Sequence, residues 1–335
     1  MRDKMTSTPS RHAGIRNPQV AGRNRSAGLT LIELIVGVAI LSIMILAFGI
    51  IMSESRKVVS VSQANMRGNS EAYAIAQTIR EDIRHLTQNG FLCITERDVA
   101  GLPAKAQTLV YTAANPSPSV TNSAIAGANG TVAAMGLCNN TKPATAGGGP
   151  VLFRASWLLS STIGVTAADK DVFFSTAGAT SDLSMFQTAA RGGLDSYITN
   201  ILTTAGYVPS QVVCPPTTLA EVNELWKYLA TNCTDLQISW MDGSVYPAAE
   251  VAKAGQIRWF DRNAPKDSTW AAKTIASGTV EYADAAGNYR ALWTHHDQTN
   301  WPVAIRIRFK LNDPNLAEQF RVSGVDYEVI CPIAR

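Results

Sequence analysis

The chain has 335 residues, of which 46% are hydrophobic and 16% are charged, and its formal net charge is +3. This length allows one large domain or two ordinary ones. The basic residues are concentrated in residues 1–28, which hold Arg2, Lys4, Arg11, Arg16, Arg23 and Arg25 against the acid Asp3. Without that segment the charge would be about −2 (+3 minus +5), so net charge does not support a nucleic-acid-binding function.

The first strong feature along the chain is an apolar run at residues 29–52, LTLIELIVGVAILSIMILAFGIIM. As a helix it would span about 36 Å at roughly 1.5 Å per residue, enough to cross a bilayer core of about 30 Å. It is longer than the apolar region of a secretory signal, which is typically about 7–15 residues. The basic segment before it predicts a cytoplasmic N-terminus and export of the rest of the chain.

One carboxylate, Glu33, interrupts this run. An ionised carboxylate inside hydrocarbon costs on the order of 2.5 kcal/mol or more, so such groups usually have a partner. The run contains no basic residue, and the candidate cation is a free α-amine. Cleavage between Gly28 and Leu29 would create such an amine at the head of the helix. A contact within one chain would be awkward, whereas a contact between two staggered chains is natural, so Glu33 predicts an intersubunit contact.

The stretch Gly28-Leu29-Thr30-Leu31-Ile32-Glu33 resembles the prepilin peptidase site of type IV pilins and type II secretion pseudopilins. That site has a basic leader, a glycine, a hydrophobic residue and a glutamate at the fifth mature position. Leu29 departs from the usual Phe or Met, and the leader is longer than most. The resemblance implies that a prepilin peptidase removes residues 1–28 and methylates the amine of Leu29. It further implies that Glu33 neutralises the Leu29 amine of a neighbouring subunit.

Helical periodicity continues beyond the apolar run. The apolar residues at helical spacing are Tyr73, Ala76, Ile79, Ile83 and Leu86. No proline lies between residues 29 and 88, and Gly90 is the expected stop. We therefore predict a helix of about 90 Å, with a transmembrane half at 29–52 and an amphipathic half at 53–90.

Residues 91–335 predict a β-rich periplasmic head, which makes the expected fold α+β, a long helix packed on mainly antiparallel sheet. Residues 303–311 alternate strictly, with the odd positions apolar. Further strands are expected at 236–240, 245–246, 256–260, 279–282, 289–293 and 327–330, with hairpin turns at 241–244 and 283–288. A helix is expected at 218–230, where Thr218 and Glu221 form a capping-box pattern, and long loops are expected around 112–150.

Five cysteines follow the apolar run, on the side where export would allow disulfides: Cys93, Cys138, Cys214, Cys233 and Cys331. Cys214 and Cys233 bracket the predicted helix and form one candidate disulfide, with Cys93 and Cys138 as a second pairing. The odd count leaves one thiol over or paired with another chain, and the sequence does not fix the connectivity.

Two polar clusters in the head have competing interpretations. His295-His296-Asp297 suggests a metal site, but adjacent histidines on a strand point to opposite faces, so a solvated turn is preferred and no metal or cofactor is expected. The basic stripe, Arg306, Arg308 and Lys310, suggests contact with DNA phosphates, but charges also protect strand edges from aggregation, and this second interpretation is preferred.

The C-terminal part, from Ala291-Leu292-Trp293 to Trp301–Ile307, resembles the J-type pseudopilins and the W-type minor pilins. The resemblance implies a minor subunit of a type II secretion pseudopilus or a type IV pilus tip, in the inner membrane. Its expected partners are other pilins or pseudopilins, the prepilin peptidase, the inner-membrane assembly platform and the bilayer. The alternative is a DNA- or surface-binding minor pilin. No catalytic motif is legible, so we expect no enzyme, although a deep pocket with convergent titratable groups would favour a tethered one.

Overall fold

The computed structural model describes residues 30–102, 104–114, 131–141, 149–158, 193–203, 208–209, 211–214, 216–219, 225–250, 252–276, 278–312 and 324–333. The chain divides into two compact units, residues 1–58 and 59–335. The architecture is α+β, as predicted: an N-terminal apolar helix, α1 (Leu31–Arg84), is followed by mainly antiparallel sheet.

In the first unit, residues 31–58 of α1 are exposed on all sides. The residues up to 52 are almost entirely aliphatic, so the helix has no polar face that could turn towards water. The hydroxyl of Ser42 donates to the carbonyl of Val38 at 2.8 Å, so its hydrogen-bonding need is met inside the helix. This half of α1 therefore has the composition of a membrane span.

In the second unit, α1 buries one face against the head through Ala64, Ala72, Ile75, Ile79 and Ile83. The predicted apolar face was correct at Ile79 and Ile83 but wrong at Tyr73, which is 69% exposed. The helix ends at Arg84, before the expected stop at Gly90, because Leu86 already forms a β-bridge with Ala113.

The main sheet of the head contains eight strands among the described residues. They are β1 (Phe91–Arg97), β2 (Ala106–Ala113), β3 (Thr131–Asn140), β4 (Val151–Leu158), β5 (Gln211–Val212), β6 (Tyr228–Ala230), β8 (Glu281–Ala283) and β9 (Tyr289–Thr294). Their order is β6-β4-β3-β2-β1-β9-β8, and β5 pairs in parallel with the end of β3. Every other pairing in this sheet is antiparallel.

A second, three-stranded antiparallel sheet has the order β11-β10-β7, from β7 (Cys233–Met241), β10 (Ala304–Leu311) and β11 (Val325–Pro332). The strand alternation predicted for 303–311 is confirmed, because Ile305, Ile307, Phe309 and Leu311 are buried. Short 3₁₀ turns lie at Leu225–Lys227, Trp270–Ala272 and Gln298–Asn300.

The main sheet is buried on both faces by two separate hydrophobic clusters. The first, the helix-side core, joins α1 residues such as Ile75 and Ile79 to β1 and β2 and to the three-stranded sheet. The second, the α2-side core, joins the opposite face to α2 (Leu194–Thr203), which buries Leu194, Tyr197, Ile198 and Ile201. All seven residues of β1 are buried as a result, so β1 shows no alternation that the sequence could have revealed.

Three predictions of secondary structure in the head were wrong. The loops expected around 112–150 contain β3, which lies inside the main sheet, while 115–130 and 142–148 are outside the described residues. The helix expected to reach 230 gives way to β6 by Tyr228, while 220–224 are outside the described residues. Residues 245–246 do not pair back onto β7, because Val245 bridges Ile257 and Trp240 bridges Phe260.

Candidate functional site

The candidate site is the head of α1, where Thr30 and Glu33 form a reciprocal capping box. The backbone N–H and the hydroxyl of Thr30 each donate to Oε2 of Glu33 at 2.9 Å. The N–H of Glu33 donates back to the Thr30 hydroxyl at 3.4 Å. The Thr-x-x-Glu pattern at the start of an apolar helix is the sequence signal for such a box. Our sequence interpretation overlooked this signal and assigned Glu33 no partner inside the chain.

The capping box uses only part of the hydrogen-bonding capacity of Glu33. A carboxylate has about four acceptor positions, and both bonds from Thr30 go to Oε2. Among the described residues, Oε1 accepts no hydrogen bond and no cation pairs with Glu33. The side chain is therefore held at the first turn of the helix with one oxygen available to a donor from outside.

The helix that carries Glu33 is the one described helix that is long and apolar enough to cross a membrane, by length and composition. None of its most apolar stretch is buried against the rest of the described chain. Gly28 and Leu29, the predicted cleavage and methylation positions, lie outside the described residues. Thr30, the first described residue, follows Leu29 directly, so the capping box begins one residue after the predicted cut.

The basic stripe lies on the outer face of β10, the central strand of the three-stranded sheet, so the prediction that it protects a strand edge was wrong. Two of its members have acidic partners: Arg308 donates to Glu328 at 2.6 Å, and Lys310 lies 3.5 Å from Asp326 and 3.6 Å from Asp235. Arg306 instead stacks on Trp259, with 4.5 Å from guanidinium carbon to ring centre. Because carboxylates neutralise much of the stripe, it offers little positive charge to a phosphate backbone.

His295 and His296 follow β9 in a turn, in agreement with the preferred interpretation. Their rings lie 3.9 Å apart, so they do not point to opposite faces as they would on a strand. Asp297 accepts hydrogen bonds from Thr299 at 2.8 Å and from Asn300 at 2.5 Å. Both oxygens of its carboxylate therefore bind donors within the turn. No cluster of metal-ligating side chains occurs among the residues that the structure describes.

All five cysteine side chains are buried, and no disulfide joins them. The predicted partners are separated, because Cys214 belongs to the α2-side core and Cys233 to the helix-side core. Cys93 pairs with Val110 on β2, whereas Cys138 pairs with Val151 on β4, so the second predicted pair is also apart. Burial raises the pKa values of Cys93, Cys138 and Cys233 to about 12, which removes the thiolate that nucleophilic catalysis would need.

A cavity of about 440 Å³ in the head is the feature that comes nearest to an enzyme site. The residues that line it include Glu96, Arg97, Thr199, Asp284, Asn288 and Arg290. Arg290 is 1% exposed, donates to Asp195 on α2 at 2.5 Å and lies 3.3 Å from Asp284, so its charge is neutralised. Glu96 pairs with Arg262 at 2.7 Å.

These ion pairs give the cavity a structural role. Arg290 ties α2 to the sheet, because it also donates to Thr95 on β1 at 3.2 Å and to Thr199 at 3.2 Å. Among the described residues no serine, cysteine or histidine lines the cavity, so the described lining lacks the Ser–His and Cys–His pairs that covalent catalysis commonly uses. No short motif predicted this network, because its members are far apart along the chain.

Comparison with known proteins supports the site at the head of α1. Residues 23–49 match the family described as a prokaryotic N-terminal methylation motif. This motif is the signature of type IV pilin-like and pseudopilin-like prepilins, and the match confirms the predicted resemblance. No curated protein and no solved structure matches the chain. The family match is thus confined to the leader and the apolar helix, which are the segments that flank Gly28 and Glu33.

Proposed function

We propose that this chain, which the methylation motif identifies as a type IV pilin-like or pseudopilin-like protein, is a minor subunit of a secretion pseudopilus or a pilus tip complex. One observation carries the proposal: the motif coincides with an exposed apolar helix whose first turn holds Glu33. Only one oxygen of that carboxylate accepts hydrogen bonds among the described residues. A head as large as residues 91–335 and its C-terminal resemblance to J-type pseudopilins and W-type minor pilins support a minor subunit, because major subunits are usually far smaller.

Processing would proceed as the motif implies. The basic leader stays cytoplasmic, the prepilin peptidase cuts after Gly28, and the amine of Leu29 is methylated. The mature chain then remains in the inner membrane through α1, with its head in the periplasm. The assembly platform and an ATPase on other chains supply the work that moves subunits into the fibre.

Assembly depends on the charge of Glu33 in this account. When α1 moves from lipid into a bundle of neighbouring helices, its apolar surface exchanges one apolar environment for another. Apolar contacts alone therefore favour no particular axial register between subunits. A carboxylate oxygen without a donor is expensive there, so a cationic amine from an adjacent subunit stabilises one axial register over others. Glu33 therefore sets the register, and the apolar side chains supply the packing.

The protein itself performs no catalysis in this proposal. Burial raises the pKa of the Cys93 thiol to about 12, and the buried Arg290 of the head cavity pairs with Asp195 and Asp284. The runner-up function, a DNA- or surface-binding minor pilin, has less support, because Glu328, Asp326 and Asp235 neutralise two of the three cations in the basic stripe.

The test is the incorporation of a Glu33→Ala variant into sheared fibres, with Glu54→Ala as the matched control. Glu54 lies on the same helix, is exposed, and pairs with Lys57 at 3.9 Å, a surface contact worth little. We expect both variants to insert into the membrane at wild-type levels and Glu33→Ala alone to lose about tenfold or more of its fibre incorporation. Equal incorporation of the two variants would remove the proposed role of Glu33.

A further inference from the structure

We propose that Cys138 and Cys214 form a disulfide in the exported head, a pairing that the sequence alone did not suggest. The two side chains belong to the same α2-side core, and their backbones are joined by the parallel pairing of β5 with the end of β3. The inference rests on the exported topology of the proposed function for its oxidising environment, and on the fold for its geometry.

Four hydrogen bonds hold the segment of Cys214 against the end of β3. The side chain of Asn140 donates to the carbonyl of Cys214 at 2.7 Å and accepts from its N–H at 3.1 Å. The N–H and hydroxyl of Thr141 both donate to the carbonyl of Val212, at 2.9 and 3.2 Å. These bonds fix the backbone of Cys214 next to the side chain of Asn140.

Cys138 lies on the same side of β3 as Asn140, because residues two apart on a strand share a face. The Asn140 side chain therefore reaches Cys214 from the face that also carries the Cys138 thiol. The two thiols are close enough to interact electrostatically, and Cys138 and Cys214 are 0% and 9% exposed. Cys138 and Cys214 thus lie on the same face of the main sheet, the face covered by α2, and both side chains are buried.

The other cysteines are excluded by register. Cys93 pairs with Val110, which pairs with Ala134, so it lies two strands away from Cys138 and four residues along. Cys331 and Cys233 pair with Ile305 and Leu311 of β10, which are about 20 Å apart at roughly 3.3 Å per residue. Cys93, Cys233 and Cys331 therefore stay as thiols, which also accounts for the odd number of cysteines.

The oxidation balances as a dithiol–disulfide exchange. The two thiols lose two protons and two electrons to the disulfide of an oxidant, which leaves as two thiols. Because burial raises the pKa of Cys138 and shields it from solvent, the exchange takes place while the head folds, and the finished core protects the bond. The cross-link closes the segment 139–213, which includes the whole of β4 and α2.

The first test is peptide mapping of full-length protein that has been reduced, unfolded and refolded in a glutathione redox buffer, which does not depend on export. We expect a linked pair of peptides that contain Cys138 and Cys214. Linkage of Cys214 to Cys233, or quantitative alkylation of both Cys138 and Cys214, would overturn the proposal. The same map from cell envelopes tests the topology: linkage in the refolded protein but not in the envelope would contradict the exported head and leave the pairing supported.

Thermal unfolding provides an independent readout. Cys138→Ala and Cys214→Ala should each lower the Tm of the oxidised protein by about 5–10 °C, and the double variant should lower it by clearly less than the sum of the two. Under reducing conditions the Tm difference between each variant and the wild type should shrink to the part that comes from lost packing. Cys93→Ala, an equally buried control, should lower the Tm by the same amount with and without reductant. Additive losses at the two positions would contradict a shared bond.

Discussion

The two ends of α1 each carry a carboxylate, and the two carboxylates differ in their hydrogen-bond partners. Near the C-terminal end, both oxygens of Asp82 accept hydrogen bonds from the guanidinium of Arg154 on β4, one of them at 2.6 Å. At the N-terminal end, Glu33 receives only the neutral donors of Thr30 among the described residues. The hydrophobic surface follows the same division, since Ile79 is 1% exposed and Ile43 is 67% exposed.

This difference separates folding from assembly along one helix. Asp82 and Ile79 find their partners inside the chain, so they stabilise the head whether or not a fibre exists. Among the described residues Glu33 has no charged partner and Ile43 is 67% exposed, so we expect lipid or other subunits to supply these contacts. Variants at the two ends should therefore fail in different assays.

The largest effect is expected at the processing site, which decides whether the N-terminal end becomes available at all. Gly28→Glu should leave an uncut precursor that inserts in the membrane but enters no fibre, because a side chain at this position blocks the cut that exposes the amine of Leu29. Immunoblot mobility and N-terminal sequencing provide the measurement. A mature chain that still begins at Leu29 would contradict the assigned site.

A large effect is also expected on core packing, but at one end only. Ile79→Ala should destabilise the head by about 2–4 kcal/mol, because it removes buried methyl groups from the helix-side core. Ile43→Ala, the matched change in the apolar half, should leave the unfolding of the head within about 0.5 kcal/mol of wild type. Denaturant unfolding of the full-length protein in detergent measures both. Equal losses would show that the two halves of α1 are not distinguished as proposed.

A smaller loss is expected when the in-chain ion pair is broken. Asp82→Ala should destabilise the head by about 1–3 kcal/mol, because it leaves the guanidinium of Arg154 partly buried without its carboxylate. In a double-mutant cycle, Asp82→Ala with Arg154→Ala should cost less than the sum of the single changes. Strict additivity would mean that the pair contributes no coupling, and fibre incorporation by a folded Asp82→Ala protein should remain normal.

The smallest effect concerns another carboxylate with an in-chain cation, Asp242, which pairs with Lys266 at 2.5 Å. Burial raises its pKa, but hydrogen bonds from Lys266 and Ser244 outweigh burial and lower the pKa to about 2. Since the folded pKa lies below the unfolded value of about 3.9, its contribution is present above pH 4 and is lost as pH falls towards 2. The stability advantage of wild type over Asp242→Asn should follow that course; an advantage that grows on acidification would contradict it.

Much of this division could be predicted from the sequence, because the signals are local. The apolar run, the glycine before it and Glu33 lie within 25 residues of one another. Membrane insertion depends on the length and hydrophobicity of such a continuous segment and not on tertiary contacts. Strand β10 was predictable for the same reason, since one of its faces meets the core and the other meets solvent.

The rest of the head could not be predicted, because its determinants are distant in sequence. Strands β1 to β3 are buried on both faces and show no period of two, so β3 was assigned to a loop region. The partner of Arg290 on α2 lies 95 residues away, and Cys214 is joined to Asn140 across 74 residues. Such contacts arise from sheet order, and no short motif encodes them.

The central claim, that Glu33 acts through its charge towards another subunit, is tested most directly by fibre incorporation of Glu33→Gln. Glutamine is as acceptable as glutamate in a capping box, so this variant keeps the head of α1 intact and removes only the charge. The account predicts that Glu33→Gln inserts normally and is as poorly incorporated as Glu33→Ala. Wild-type incorporation of Glu33→Gln, together with a defect in Thr30→Ala, would show that Glu33 serves the helix cap and not an intersubunit charge contact.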